Sequence, residues 1–212
     1  EAVDQLIGVA DEHPDDIDLQ VDAARHLSLF GQAQDALICV NRAITIDADD
    51  EGAHAIHGEV LERLGRISEA VPARERALTG DPDDADSRYY LAVDLCDLGR
   101  YQEAFEVAEP LFTEFPDDAD IIRLHGACLS YLGRHQDALI KWAELERVEG
   151  VTPNLLHNRA STLDVLGRHE EALATIDEAI AAEIDVAMNF YTRGMIHEHM
   201  AHGQEAAEDY LT

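Results

Sequence analysis

The chain has 212 residues, 45 acidic and 15 basic, for a formal net charge of -30. Such a charge repels phosphate backbones and anionic membrane surfaces, which excludes a general nucleic-acid binder, and no apolar run approaches the roughly 18 residues that span a bilayer. A hydrophobic content of 46% argues against disorder, and three cysteines without a C-x-x-C pair (Cys39, Cys96, Cys128) fit buried thiols in a reducing, cytoplasmic setting.

Residues 1–16 read as one helix, with Leu6 and Val9 on its apolar side and the turn HPDD (13–16) closing it. From 17 to 50 the pattern gives two helices, separated at LFGQAQDA (29–36) and closed by DADD (47–50). Residues 51–84 repeat the arrangement with RLGRISEA (63–70) and DPDD (81–84). In 85–118, Leu91, Ala92, Leu95 and Leu98 recur at helical spacing, and Gly99 ends that helix because glycine accepts the left-handed conformation. A second helix carries Ala104, Ala108 and Leu111 and closes at FPDD, where Pro116 blocks continuation and Asp117 and Asp118 are placed to cap the next helix. Residues 119–152 contain YLGRHQDA (131–138) but lack the closing proline at Gly150; Pro153 follows three residues later. Residues 153–186 contain VLGRHEEA (165–172), and 187–212 form an incomplete last unit. Pro72 falls near a helix start, where it is tolerated, whereas Pro110 falls deeper and is expected to bend its helix.

The register is strict. Ala36, Ala70, Ala104, Ala138 and Ala172 stand 34 residues apart, and the same step reaches Ala2 and Ala206. Each first helix carries a small residue at one position (Ala24, Gly58, Ala92, Gly126, Ala160, Gly194). Four residues after the alanine of each second helix stands a larger side chain at Val40, Trp142, Ile176 and Tyr210, with departures at Arg74 and Ala108. A helix pair of this size cannot bury both faces alone, so consecutive pairs must stack.

These residues resemble the tetratricopeptide repeat (TPR) family, whose repeat length is 34. The resemblance covers essentially the whole chain. It implies an all-α, right-handed superhelical solenoid of antiparallel helix pairs. Residues 1–212 would be a single domain: 1–16 as the second helix of a preceding repeat, then repeats 17–50, 51–84, 85–118, 119–152 and 153–186, and a partial 187–212.

No residue pattern supports catalysis. The chain has no glycine-rich phosphate loop, G-x-S-x-G elbow or H-E-x-x-H motif, and DPDDAD (81–86) lacks the glycine and distal glutamate of a calcium loop. His54 and His57, and His199 and His202, stand three apart. The slot of His57 is filled by His125, Arg159 and Arg193 in other units, which marks a packing position, and HEHMAH (197–202) reads as a surface helix end. No metal, cofactor or enzymatic activity is therefore expected.

In the TPR family the first helices line the concave face, and the matching stripe here contains Arg25, Ala55, Glu59, Glu62 and Asp86, followed by the candidate partner-binding residues Tyr89, Arg123, Tyr131, Asn154, His157 and Tyr191. Tyrosine and arginine are frequent binding anchors. The subgroup that clamps chaperone tails needs lysine where this chain has Val21, Ala55 and Tyr89, so the expected partner is instead a protein or peptide segment of basic or polar-aromatic character. The leading reading is a non-catalytic protein-interaction scaffold. Two others stand beside it: self-assembly into a homo-oligomer through uncapped repeat ends, and a regulatory arm of a larger multidomain enzyme.

Overall fold

The computed structural model describes residues 2–182 and 186–211. Among them are thirteen helices and no strand: α1 (Ala2–Glu12), α2 (Ile17–Leu29), α3 (Ala33–Ile46), α4 (Glu51–Arg63), α5 (Ile67–Gly80), α6 (Ala85–Asp97), α7 (Tyr101–Glu114), α8 (Ala119–Tyr131), α9 (His135–Glu149), α10 (Pro153–Val165), α11 (His169–Ala181), α12 (Val186–His199) and α13 (Gly203–Asp209). The chain gathers into two compact units, residues 1–108 and 109–212.

The two kinds of turn use different chemistry. First helices are capped by a side chain at the end of each acidic turn. Asp16 accepts from Leu19 N, Asp50 from Ala53 N, Asp84 from Asp86 N and Ser87 N, and Asp118 from Asp120 N and Ile121 N. The threonine Thr152 takes over before α10, accepting from Leu155 N. Second helices α3, α5, α9 and α11 have no side-chain cap. They start from a tight turn in which Gly31, Gly65, Gly133 and Gly167 adopt φ of 71–75° and the next amide donates to the carbonyl five residues back, as from Arg66 N to Leu61 O at 2.8 Å. The arginine of each LGR turn then pairs with the acid three residues on: Arg66 with Glu69, Arg100 with Glu103, Arg134 with Asp137, Arg168 with Glu171. At the matching place in the last pair the left-handed residue is Ala201, with φ 61°.

In the first unit, α2 packs on α3, α4 on α5 and α5 on α6, and α2 also touches α4. Its core is built from small residues such as Ala23, Ala24, Ala36 and Ala43 around Leu27, Val40 and Val60. In the second unit, α8 packs on α9, α10 on α9 and α11, and α12 on α11 and α13, with α10 touching α12. Leu156, Leu163, Ile176 and Ile196 fill one layer, and Trp142 with Ile122, Leu145 and Leu155 fills another. The helix α7 runs through Pro110 to Glu114. Gly150, with φ 81°, closes α9 at the position that Pro14, Pro82 and Pro116 hold in other units.

Candidate functional site

The first unit carries a groove of about 770 Å³. Arg25 and Leu29 reach it from α2, Glu51, Ala55, Glu59 and Glu62 from α4, and Asp86 and Tyr90 from α6, so three first helices build it. Six carboxylates line it against three guanidinium groups. Two of those acids, Asp81 and Asp84, also bond backbone amides of the turn. Glu59 accepts from Ser28 Oγ at 2.8 Å and from Arg63 Nε at 3.1 Å.

One of the three arginines is committed inward. Arg74 is 2% exposed, and its Nε donates to Asp94 Oδ2 at 2.7 Å while Nη2 donates to Glu62. Its guanidinium lies 5.0 Å from the centre of the Tyr90 ring. Arg74 thus fills the core slot where hydrophobic side chains stand in other units, and two carboxylates and an aromatic ring compensate its charge. Burial pushes the Asp94 carboxyl above the ordinary carboxylate range, against the opposing pull of Arg74.

Tyr89 itself is half-buried, edge-on to Tyr90 at 5.2 Å between ring centres. Tyr90, 44% exposed, is the aromatic that reaches the groove. It stands one position beyond the stripe read from the sequence, in the slot that Ile56 occupies one unit earlier. Glu51 is likewise outside that stripe but lines the groove.

In the second unit Tyr131 ends α8 and is 61% exposed, Asn154 is exposed in the first turn of α10, and Tyr191 on α12 is 54% exposed, tilted against Tyr210 at 5.6 Å. His157 is half-buried, with Nδ1 3.4 Å from Thr192 Oγ1. Arg123 pairs with Asp120 on its own helix and donates through Nη2 to Glu149 Oε2 at 2.6 Å. Glu149 also accepts from Thr152, the cap of α10, at 3.3 Å, so Arg123 holds α8 to the entry of α10.

The histidines pair differently from their spacing in sequence. His54 contacts the carbonyl of Ala48 through Nε2 at 2.9 Å. His199 meets the carboxylate of Asp164, which also meets His169, while the His202 ring lies 5.7 Å from that of His197. Asp164, His169 and His199 are thus the one group among the described residues that brings three metal-ligating side chains together. No helix of the described residues is long and apolar enough to cross a membrane.

Residues 63–141 match a family model described as anaphase-promoting complex, cyclosome, subunit 3. The structure is similar to that of YrrB, described as a TPR protein with an unusual peptide-binding site, with a TM-score of 0.76 and 21% identity over 89% of this chain and 97% of that one. It is similar to a tetratricopeptide repeat protein from Parabacteroides merdae, with a TM-score of 0.76 and 17% identity over 98% of this chain and 82% of that one. MamA from Desulfovibrio magneticus gives a TM-score of 0.72 and 16% identity, covering 79% of this chain and 94% of that one. No curated protein is matched by the sequence.

Proposed function

We propose that this tetratricopeptide-repeat protein is a non-catalytic interaction scaffold whose first helices bind a basic, extended segment of another protein. The observation that carries this reading is the groove of the first unit. It is acidic, and Leu29, Ala55, Ile56 and Tyr90 also line it, so it offers apolar contact beside carboxylates. A lysine or arginine side chain suits such a surface, since its stem packs on the apolar side chains while its charge meets the carboxylates. The net charge of -30 adds long-range attraction for a cationic partner.

In the second unit the proposed contact residues are Arg123, Tyr131, Asn154, His157 and Tyr191, and in the first Tyr89 stands edge-on to Tyr90. The peptide-binding site described for YrrB supports a peptide as the class of ligand. The unbroken 34-residue register supports reading residues 1–212 as one repeat domain. Selection from a displayed library of random peptides tests the partner class. Enrichment of lysine and arginine beside aromatic or apolar residues is expected; a selected pool that is acidic or shows no charge preference overturns it.

A further inference from the structure

We propose that Asp164, His169 and His199 bind a divalent transition metal ion, with zinc as the reference ion. Asp164 is 5% exposed at the end of α10. Its Oδ1 lies 2.7 Å from Nδ1 of His169, the first residue of α11, and its Oδ2 lies 2.7 Å from Nδ1 of His199, the last residue of α12. One buried carboxylate therefore gathers two imidazoles from two other helices. One ligand atom from each of the three residues falls within 4.8 Å of the others.

Two imidazoles and a carboxylate are a donor set that zinc and its neighbours accept, with metal–ligand distances of about 2.0–2.2 Å. Taking up an ion replaces the two Nδ1–carboxylate hydrogen bonds by metal bonds, so the 2.7 Å pairs open to roughly 3.4 Å, the separation of tetrahedral ligands on bonds of ~2.1 Å. His199, with more than half its side chain exposed, is free of the close packing that would resist it. His169 and Asp164 are held more tightly by burial, so two of the three ligands are already placed. Three protein ligands leave a further coordination position for water or for a donor from a partner.

The repeat supplies an internal control. In the preceding unit the three equivalent positions hold Ser130, His135 and Val165, and the same helix packing forms without the cluster. The architecture does not require a buried aspartate between two histidines, so the combination is a property of this unit. Sequence spacing conceals it, because the ligands stand 5 and 35 residues from Asp164 and come from three helices.

The test is titration of the chelator-treated full chain with zinc chloride in excess magnesium, which occupies sites made of carboxylates alone, followed by calorimetry and competition with a chromophoric chelator. One saturable equivalent is expected. His169→Ala and His199→Ala should each weaken it by about tenfold or more, and His202→Ala should leave it unchanged. Cobalt should give the visible absorption of a nitrogen-ligated ion, lost in His199→Ala. Circular dichroism of each variant separates loss of the site from loss of the fold. Absence of a saturable equivalent in the folded parent, or an affinity indifferent to both substitutions, overturns the assignment.

Discussion

Gly126 lies against the indole of Trp142, so close that a β-carbon at residue 126 would fall 2.6 Å from Cζ3. The same relation recurs at Gly58 with Arg74 and at Gly194 with Tyr210. Each pair stands sixteen residues apart, and at that spacing Ala24, Ala92 and Ala160 face the smaller Val40, Ala108 and Ile176 in the register. Glycine is found where the facing slot holds the largest side chains. Trp142 is itself buried and donates through Nε1 to Thr162 Oγ1 at 3.1 Å, so its position is fixed from the other side.

Gly126→Ala is therefore expected to destabilise the protein. Overpacking costs about 1–3 kcal/mol, which outweighs the ~1 kcal/mol that alanine contributes over glycine within a helix. In a Trp142→Leu background the same change should become neutral or favourable. Equal penalties in both backgrounds, measured by chemical denaturation, would contradict the contact.

Removing Arg74 leaves Asp94, 1% exposed, without its counter-ion. Arg74→Ala should cost about 3–5 kcal/mol, and the paired replacement Arg74→Met with Asp94→Leu should recover most of it. Denaturation midpoints of the three proteins check this; a loss below ~1 kcal/mol in the single variant is the opposing result.

Ala201 holds the left-handed conformation that glycine supplies in the five preceding turns. Ala201→Gly should raise stability by about 1 kcal/mol, because a β-carbon is penalised there by ~1–2 kcal/mol and the gain is partly offset by the greater freedom of glycine when unfolded. A lower melting temperature in the variant would count against this account of the turn.

His125 stacks on Phe112 with ring centres 3.8 Å apart, and burial, helped by the positive charge of Lys141, lowers its pKa from 6.5 to about 4. The unfolded chain thus binds the proton more readily. The stability linked to His125 is complete above pH ~6.5 and is lost as pH falls through 4. His125→Phe should show a shallower acid-side loss, by about 1–3 kcal/mol between pH 7 and 4. Parallel pH profiles for parent and variant would contradict the assignment.

Much of the fold was legible in the sequence because the features that dictate it are local. Glycine at a left-handed position and aspartate at a cap act within a few residues of themselves, and the 34-residue step repeats them. The site was legible only in part. The stripe that the resemblance implies contains Arg25, Ala55, Glu59, Glu62 and Asp86, all of which line the groove. It missed Tyr90, since adjacent tyrosines on a helix differ in direction by about 100° and only packing decides which faces outward. Arg123 reads as an anchor by residue type, yet its nearest charges are Asp120 and Glu149, partners 3 and 26 residues away. The same limit hid Asp94 beneath Arg74: long-range ion pairs carry no periodic signal.

Calorimetric titration with a lysine- and arginine-rich peptide of about ten residues tests the central claim most directly, using the parent and the variant Glu51→Gln/Glu59→Gln/Asp86→Asn. The account predicts saturable binding by the parent that weakens with added salt, falls about tenfold (~1.4 kcal/mol) in the variant, and is absent for an acidic peptide of equal length. Affinity unchanged in the variant, or equal for the acidic peptide, would contradict it.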